Sequence, residues 1–349
     1  MIYLFGWGAL YWAFVVSALV NYRGKLLSVL ALLFIATISI LRGNVGTDTV
    51  NYEHMLLSIV DTGGGGGIEP GFMVMGWAMI KFWGSVEVAV RSISLIFFVL
   101  VIVFILRADQ NESFFLMAYF APAFAYQYSM NALRIGLASL ILIIAVQEIR
   151  RRGSYRGILI AMSSLFFHYS AFISILFVFI SQRQWIRMSN FFLLIVATII
   201  AIIMYYANLD YFSSKIIAYE AMSSPSVVSG LSKIIVIFII ILGIFFSSLP
   251  DEEKIKIIIP ALLFVMLFGV MASFTYAGLR FLDLVSFALP VAVLATYSRL
   301  GRLFDKQVVL ALFLGGAISA VGVYRGFILE FGQGKSPFLP YEFLDFLTF

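Results

Sequence analysis

The chain has 349 residues, 62% of them hydrophobic and 12% charged, with a formal net charge of +5 and a mean hydropathy of +1.05. A soluble domain carries about 25% charged residues, so half that density over the whole length excludes a water-solvated fold and makes lipid the solvent. The lack of cysteine excludes disulfides and thiolate metal sites, and the positive charge reports membrane orientation rather than a nucleic-acid partner.

Repeated apolar stretches predict an all-α, polytopic integral membrane protein of about 10–12 transmembrane helices. A transmembrane barrel would alternate its apolar residues, and runs such as 234–246 do not. The first helix, 3–20, has no basic segment before it and ends at Arg23 and Lys25 rather than at a small-residue cleavage site, so it reads as uncleaved. Placing the basic clusters (Arg23/Lys25, Arg107, Arg150–Arg152 with Arg156, Arg183/Arg187, Lys254/Lys256, Arg299/Arg302/Lys306) on the cytoplasmic side sets the topology.

On that basis 3–20 runs inward and 26–41 outward. Segment 71–83 is too short to span and is expected at the outer interface, before a full span at 86–106. Spans 113–129 and 132–149 follow. Residues 157–181 need both ends inside yet cannot cross twice at about 1.5 Å per residue. Two half-helices meeting at His168 would satisfy that parity as a re-entrant element, which is tolerated where it lines a polar cavity. Spans 190–207, 231–249, 256–277, 281–298 and 307–323 complete one transmembrane domain, 1–349, with external segments 42–70, 208–230 and 324–349. The glycine run at 63–67 lacks the spacing of a phosphate loop and is read as a turn.

This map places Arg42, Asp48, Tyr52, Glu69, Asn131, Arg134, Arg280, Arg325 and Tyr341 at outer helix ends or in outer segments, and His168 joins them if it sits at a re-entrant tip. Each has an ordinary reading: Arg42 snorkels, Asp48 makes an Asx turn or N-cap, Glu69 caps a helix, His168 packs, Arg280 pairs with Asp283. Gathered on one face, they point to a shared cavity. No HExxH or GxSxG motif is present, and two histidines make no metal triad. Arginines offer planar forks for phosphate, and an acid or histidine can accept a hydroxyl proton. That inventory suits group transfer from a phosphate-activated lipid, with no cofactor.

Five stretches, R-x3-G-T-D-x2-N-Y at 42–52, E-P-G-F at 69–72, N-A-L-R-x-G-L-A at 131–138, F-H-x-S at 167–170 and Pro340–Tyr341, together resemble the EpsG-type family, Wzy-like polymerases of O-antigen and exopolysaccharide repeat units. The glycine run and the length of 42–70 are particular to this chain. The resemblance implies a multi-pass protein of the bacterial inner membrane, active at the periplasmic or outer face. Its donor and acceptor would be undecaprenyl-pyrophosphate-linked glycans, with a chain-length regulator and a flippase as further partners and no nucleic acid. On this reading Arg42, Arg134, Arg280 and Arg325 bind pyrophosphate without a metal. His168, Asp48 or Glu69 is the general base, with His168 preferred. Tyr52, Asn131 and Tyr341 hold sugar or phosphate oxygens. Direct displacement implies inversion at the anomeric carbon.

An O-antigen ligase differs only in its acceptor and would carry a larger external domain. A lipid-linked oligosaccharide flippase would spread polar residues over both faces with inverted repeats, and a structural partner in an assembly complex would need no such cluster.

Overall fold

The computed structural model describes residues 2–19, 25–62, 68–182, 230–328 and 338–344, with scattered helical positions between 195 and 217. Most of the expected span 190–207, the glycine run at 63–67, and Arg183 and Arg187 lie outside the described residues. The described chain is helical, with one isolated antiparallel bridge between Arg42 and Phe343. It divides into two compact units, Met1–Leu140 with Gly316–Phe349, and Ile141–Gly315.

The first unit opens with α1 (Ile2–Leu19) and α2 (Lys25–Ile40), packed on one another. Segment 42–70 is largely helical rather than loop. It contains α3 (Thr49–Thr62), where Tyr52, Leu56 and Ile59 recur at helical spacing and turn inward. Next comes α4 (Pro70–Trp83), started by Pro70 in its first turn, where the missing N–H costs nothing. It ends at Gly84 (φ 70°), which donates to Ile80 O at 2.8 Å.

Ser85 then caps α5 (Val86–Arg107) by accepting from Val88 N. At the far end of α5, Lys25 Nζ donates to Leu106 O (2.9 Å) and Ala108 O (2.7 Å), satisfying carbonyls that the helix cannot. The break at 84–85 makes α4 a helix separate from α5, against which it packs.

The expected span 113–129 is not a uniform α-helix. An Asp109/Glu112 capping box starts α6 (Gln110–Phe114), a π-helical turn follows over Phe115–Phe120, then α7 (Ala121–Tyr126), then a second π-helical turn over Gln127–Asn131. Almost all of it is buried, and Phe97, Phe98, Phe104, Phe115, Tyr119, Phe120 and Tyr126 make the core around it. Gly316 passes so close to Ala118 O that no Cβ would fit.

From Leu133 the chain continues as α8 (Leu133–Arg152). In the second unit α9 (Ser154–Ser163) and a 3₁₀ turn (Ser164–Phe166) lead to a non-helical stretch around His168, after which α10 (Ala171–Ser181) resumes. The backbone is therefore broken where parity called for two half-helices. Helices α11 (Leu231–Phe245), α12 (Asp251–Ala272) and α13 (Tyr276–Leu300) follow, and α10, α11 and α12 all pack on α13. Helix α14 (Lys306–Ile328) is the last among the described residues.

Helices α5, α12, α13 and most of α14 are long and apolar enough to cross a membrane, and five shorter apolar helices accompany them. Phe5, Trp12, Leu263, Met266, Val270 and Val321 are exposed on these helices. So much apolar surface is untenable in water, and the fold is that of an all-α polytopic membrane protein.

Candidate functional site

At the end of the first unit remote from Lys25, four of the sequence motifs converge. The G-T-D turn comes first. Gly46 has φ 109°, and a Cβ there would lie 2.6 Å from Asn131 Oδ1 and 3.2 Å from Thr49 Oγ1. Both the backbone conformation and the space demand glycine. The turn delivers Asp48 to the start of α3, where Asn51 Nδ2 donates to Asp48 Oδ1 at 3.3 Å.

One turn further on, Tyr52 is buried beside the Phe72 ring, with centroids 5.7 Å apart. Burial pushes the Tyr52 phenol up and nearby Asp48 adds to this, against the opposing effect of Arg134, with which Tyr52 is hydrogen-bonded.

Glu69 of E-P-G-F occupies the N-cap position of α4, but its side chain makes no cap bond. Instead Arg134 Nη1 meets Glu69 Oε2 at 2.7 Å, so capping does not explain this acid. The exposures differ in an informative way: the Arg134 side chain is 13% exposed and that of Glu69 1%.

N-A-L-R-x-G has an equally local explanation. Asn131 closes the second π-helical turn, Ala132 leaves helical geometry, and Arg134 lies in the first turn of α8. At Gly136 a Cβ would come within 2.6 Å of Tyr128 O, so glycine lets the two helices meet at backbone distance. Asn131 is buried, and its Oδ1 has no hydrogen-bond partner among the described residues.

Arg42 lies deeper than the other residues of the cluster. Read from sequence as a pyrophosphate ligand, it is fully buried. It donates through Nη1 to Ser39 O and to Ser94 Oγ (3.1 Å), and through Nη2 to Met130 O (3.2 Å), while Nε is unpartnered. Burial first, and the Arg91 guanidinium second, lower it to about 9. Arg42 is thus a brace tying α2, α5 and the second π-helical turn together.

Behind it stands Arg91, which the sequence reading missed. Its Nε donates to Arg42 O (3.2 Å), Nη2 to Gly43 O (2.8 Å), and Nη1 to Glu87 O (3.1 Å) and to the Glu53 carboxylate. The available signal was an arginine five residues into an apolar helix, away from every basic cluster used to set topology.

The late Pro-Tyr motif closes the same end. Gly43 N donates to Glu342 O and Leu344 N to Leu41 O, both at 2.8 Å. Tyr341, expected to touch sugar or phosphate, donates its hydroxyl to Ile38 O at 2.7 Å, and burial raises the phenol to about 12. Arg325, on the last turn of α14, is exposed.

His168 and Arg280 belong to the second unit. His168 occupies the break before α10, with its N–H on Ser164 O at 3.1 Å. Arg280 is exposed on the first turns of α13, and Asp283 pairs with Lys233 at 2.7 Å rather than with Arg280. Among the described residues no group of three His, Cys, Asp or Glu could hold a metal ion.

Fold and cluster together define a polytopic α-helical membrane protein with arginines, acids and tyrosines gathered at one end of its first unit. Compared with protein families, the chain matches the EpsG family over residues 25–343, a range that contains all five motifs. The chain belongs to the EpsG family, and with that goes, in general terms, a membrane role of the polysaccharide-polymerase type. No curated protein and no solved structure matches it.

Proposed function

We propose that the protein is a membrane glycosyltransferase that polymerises undecaprenyl-pyrophosphate-linked repeat units at the outer face of the bacterial inner membrane. The observation that carries this reading is the convergence of Arg134, Glu69, Tyr52, Asp48 and Asn131 within one unit. Arg134, the partly exposed cation, binds the donor's pyrophosphate and stabilises it as it leaves, an electrostatic task for a planar fork. Glu69, or Asp48 at the start of α3, accepts the acceptor hydroxyl's proton. Tyr52 and the unpaired Asn131 carbonyl meet sugar hydroxyls. Arg42 and Arg91 act from behind, holding the 41–46 backbone in place.

The acceptor oxygen attacks the anomeric carbon opposite the leaving pyrophosphate, so the product is inverted and no metal is needed. For His168 and Arg280, the roles of proton acceptor and phosphate ligand stand as separate proposals, as does phosphate binding by Arg325.

The test uses a strain with a known glycan repeat and this gene deleted. Wild type should restore a ladder of polymer, and Arg134→Ala at equal membrane level should leave single repeat units. A deletion that accumulates no single-unit glycan, with wild type restoring export alone, would overturn polymerisation in favour of transport.

A further inference from the structure

Three features of the Arg134–Glu69 pair, taken together, say more than that two charges meet. First, the pair is asymmetric in depth: Arg134 retains 13% of its side-chain surface while Glu69 retains 1%, so an approaching ligand meets the guanidinium before the carboxylate. Second, Glu69 sits at the N-cap of α4 yet forgoes capping, so its side chain is committed to Arg134 and not to its own helix. Third, the Arg134 guanidinium acts on Tyr52 as well as on Glu69, so it is tied to α3 and not only to the carboxylate. The pair joins two elements far apart in sequence, the N-cap of α4 and the first turn of α8.

A carboxylate on a guanidinium fork occupies the geometry that a phosphate oxygen pair would take. It also makes a poor base, because the adjacent cation stabilises its ionised form. The Arg134–Glu69 bond therefore engages both functional groups of the proposed reaction. A pyrophosphate diester, with two negative charges against one, competes for the same fork. The tie to Tyr52 on α3 keeps the guanidinium in position during the exchange. Once Glu69 has lost its cation and stands near an anion in a water-poor pocket, it holds a proton more tightly.

We propose that the Arg134–Glu69 ion pair is a lock opened by the donor: its pyrophosphate displaces Glu69 from Arg134, and only the Glu69 released in this way serves as the base for the acceptor. The inference rests on the reading of Arg134 as a pyrophosphate ligand and adds an obligatory order, donor before acceptor. In the transfer that follows, the acceptor hydroxyl's proton passes to a Glu69 oxygen. The hydroxyl oxygen's electron pair forms the bond to the donor's anomeric carbon. The bond from that carbon to the phosphate oxygen breaks, and its electron pair leaves with undecaprenyl pyrophosphate on Arg134. Departure of that product, with loss of the proton from Glu69 to water, restores the pair.

The experiment uses full-length protein in lipid nanodiscs and reads Glu69 directly. An excess of dicyclohexylcarbodiimide, which modifies protonated carboxyls in apolar surroundings, is applied with and without undecaprenyl pyrophosphate. Modification of residue 69 is quantified by peptide mass spectrometry, and binding is followed in parallel by the shift in unfolding temperature. In wild type, modification should be low alone and rise at least about tenfold with the lipid. Arg134→Gln should be modified without lipid and should not respond to it. If the lipid raises the unfolding temperature but leaves Glu69 unmodified, the lock is refuted while pyrophosphate binding survives. If the lipid changes neither, both the lock and the pyrophosphate reading on which it rests are refuted. Should Arg134→Gln fail to fold, the wild-type titration alone decides.

Discussion

Each unit of the protein carries a polar network, and the two are finished differently. In the second, Glu253 takes Arg299 and Lys256, and Arg299 Nε donates to Gln182 Oε1 (3.2 Å). Gln182 in turn donates to Ala292 O (3.1 Å) and Thr296 Oγ1. Nearby, Asp305 receives Ser248 N, Ser248 Oγ and the Tyr297 hydroxyl at 2.6–2.8 Å. The buried side-chain atoms of this network are all partnered, and orphans of the unit such as Ser174 Oγ and Ser298 Oγ are neutral hydroxyls outside it. In the first unit, Asn131 Oδ1 and Arg42 Nε are buried and unpartnered, and the Arg134–Glu69 pair lies at the edge of exposure. A satisfied buried network holds helices together, whereas one with orphans carries a cost that invites a ligand.

That contrast is sharpest between two arginines. Arg134→Ala should lower polymer formation by about 10²–10³-fold, read as the ladder per unit of folded protein. Arg299→Ala removes one of the two cations on Glu253 and the donor to Gln182 Oε1, so it should cost about 1–3 kcal/mol in denaturant unfolding while leaving polymerisation per folded molecule unchanged. The reverse pattern would break the comparison.

Arg91→Ala falls between the two. It frees the 42–43 carbonyls and leaves Glu53 unpaired, so it should lose about 3–5 kcal/mol and activity together, with Arg91→Lys recovering only part of either. Gly46→Ala forces a side chain into a left-handed backbone against Asn131, and about 1–3 kcal/mol of strain should appear as lowered unfolding temperature. Tyr341→Phe removes one bond to Ile38 O and should cost about 0.5–1.5 kcal/mol without changing polymer length.

The smallest effect is in acid. Burial works to raise Asp305, but the Tyr297 and Ser248 hydrogen bonds outweigh it and hold the carboxyl below its ordinary range. A lowered folded value means that its stabilisation is present above the unfolded carboxylate value of about 3.9 and is lost as pH falls below that. Asp305→Asn should flatten this acid limb of the unfolding temperature.

How much of this was legible from residues alone depended on whether the cause was local. Helices α2 and α5, the separate α4 and the break at His168 follow from apolar length, Gly84 and chain parity. Helix α3 lies inside the segment read only as external, 42–70, although Tyr52, Leu56 and Ile59 recur at helical spacing. The π-helical turns leave no composition signal, since their extra residue is set by packing around Phe115 and Asn131. In the cluster, the membership of Asp48, Tyr52, Glu69, Asn131 and Arg134 was visible from motif and position. The division between Arg134 at the rim and Arg42 in the interior was not, because burial is decided by neighbours from α5 and by residues 338–344.

The bridge between Arg42 and Phe343 also bears on how the molecule is made. The backbone that carries the first motif is pinned by a segment some three hundred residues later, so a nascent chain has every helix before it has a finished rim. A product truncated before residue 338 would insert in the membrane, occupy its share of lipid and lack the support behind Arg42 and Gly43. The first motif would then gain its backing only once residues 338–344 have been made, so the rim and its support mature together.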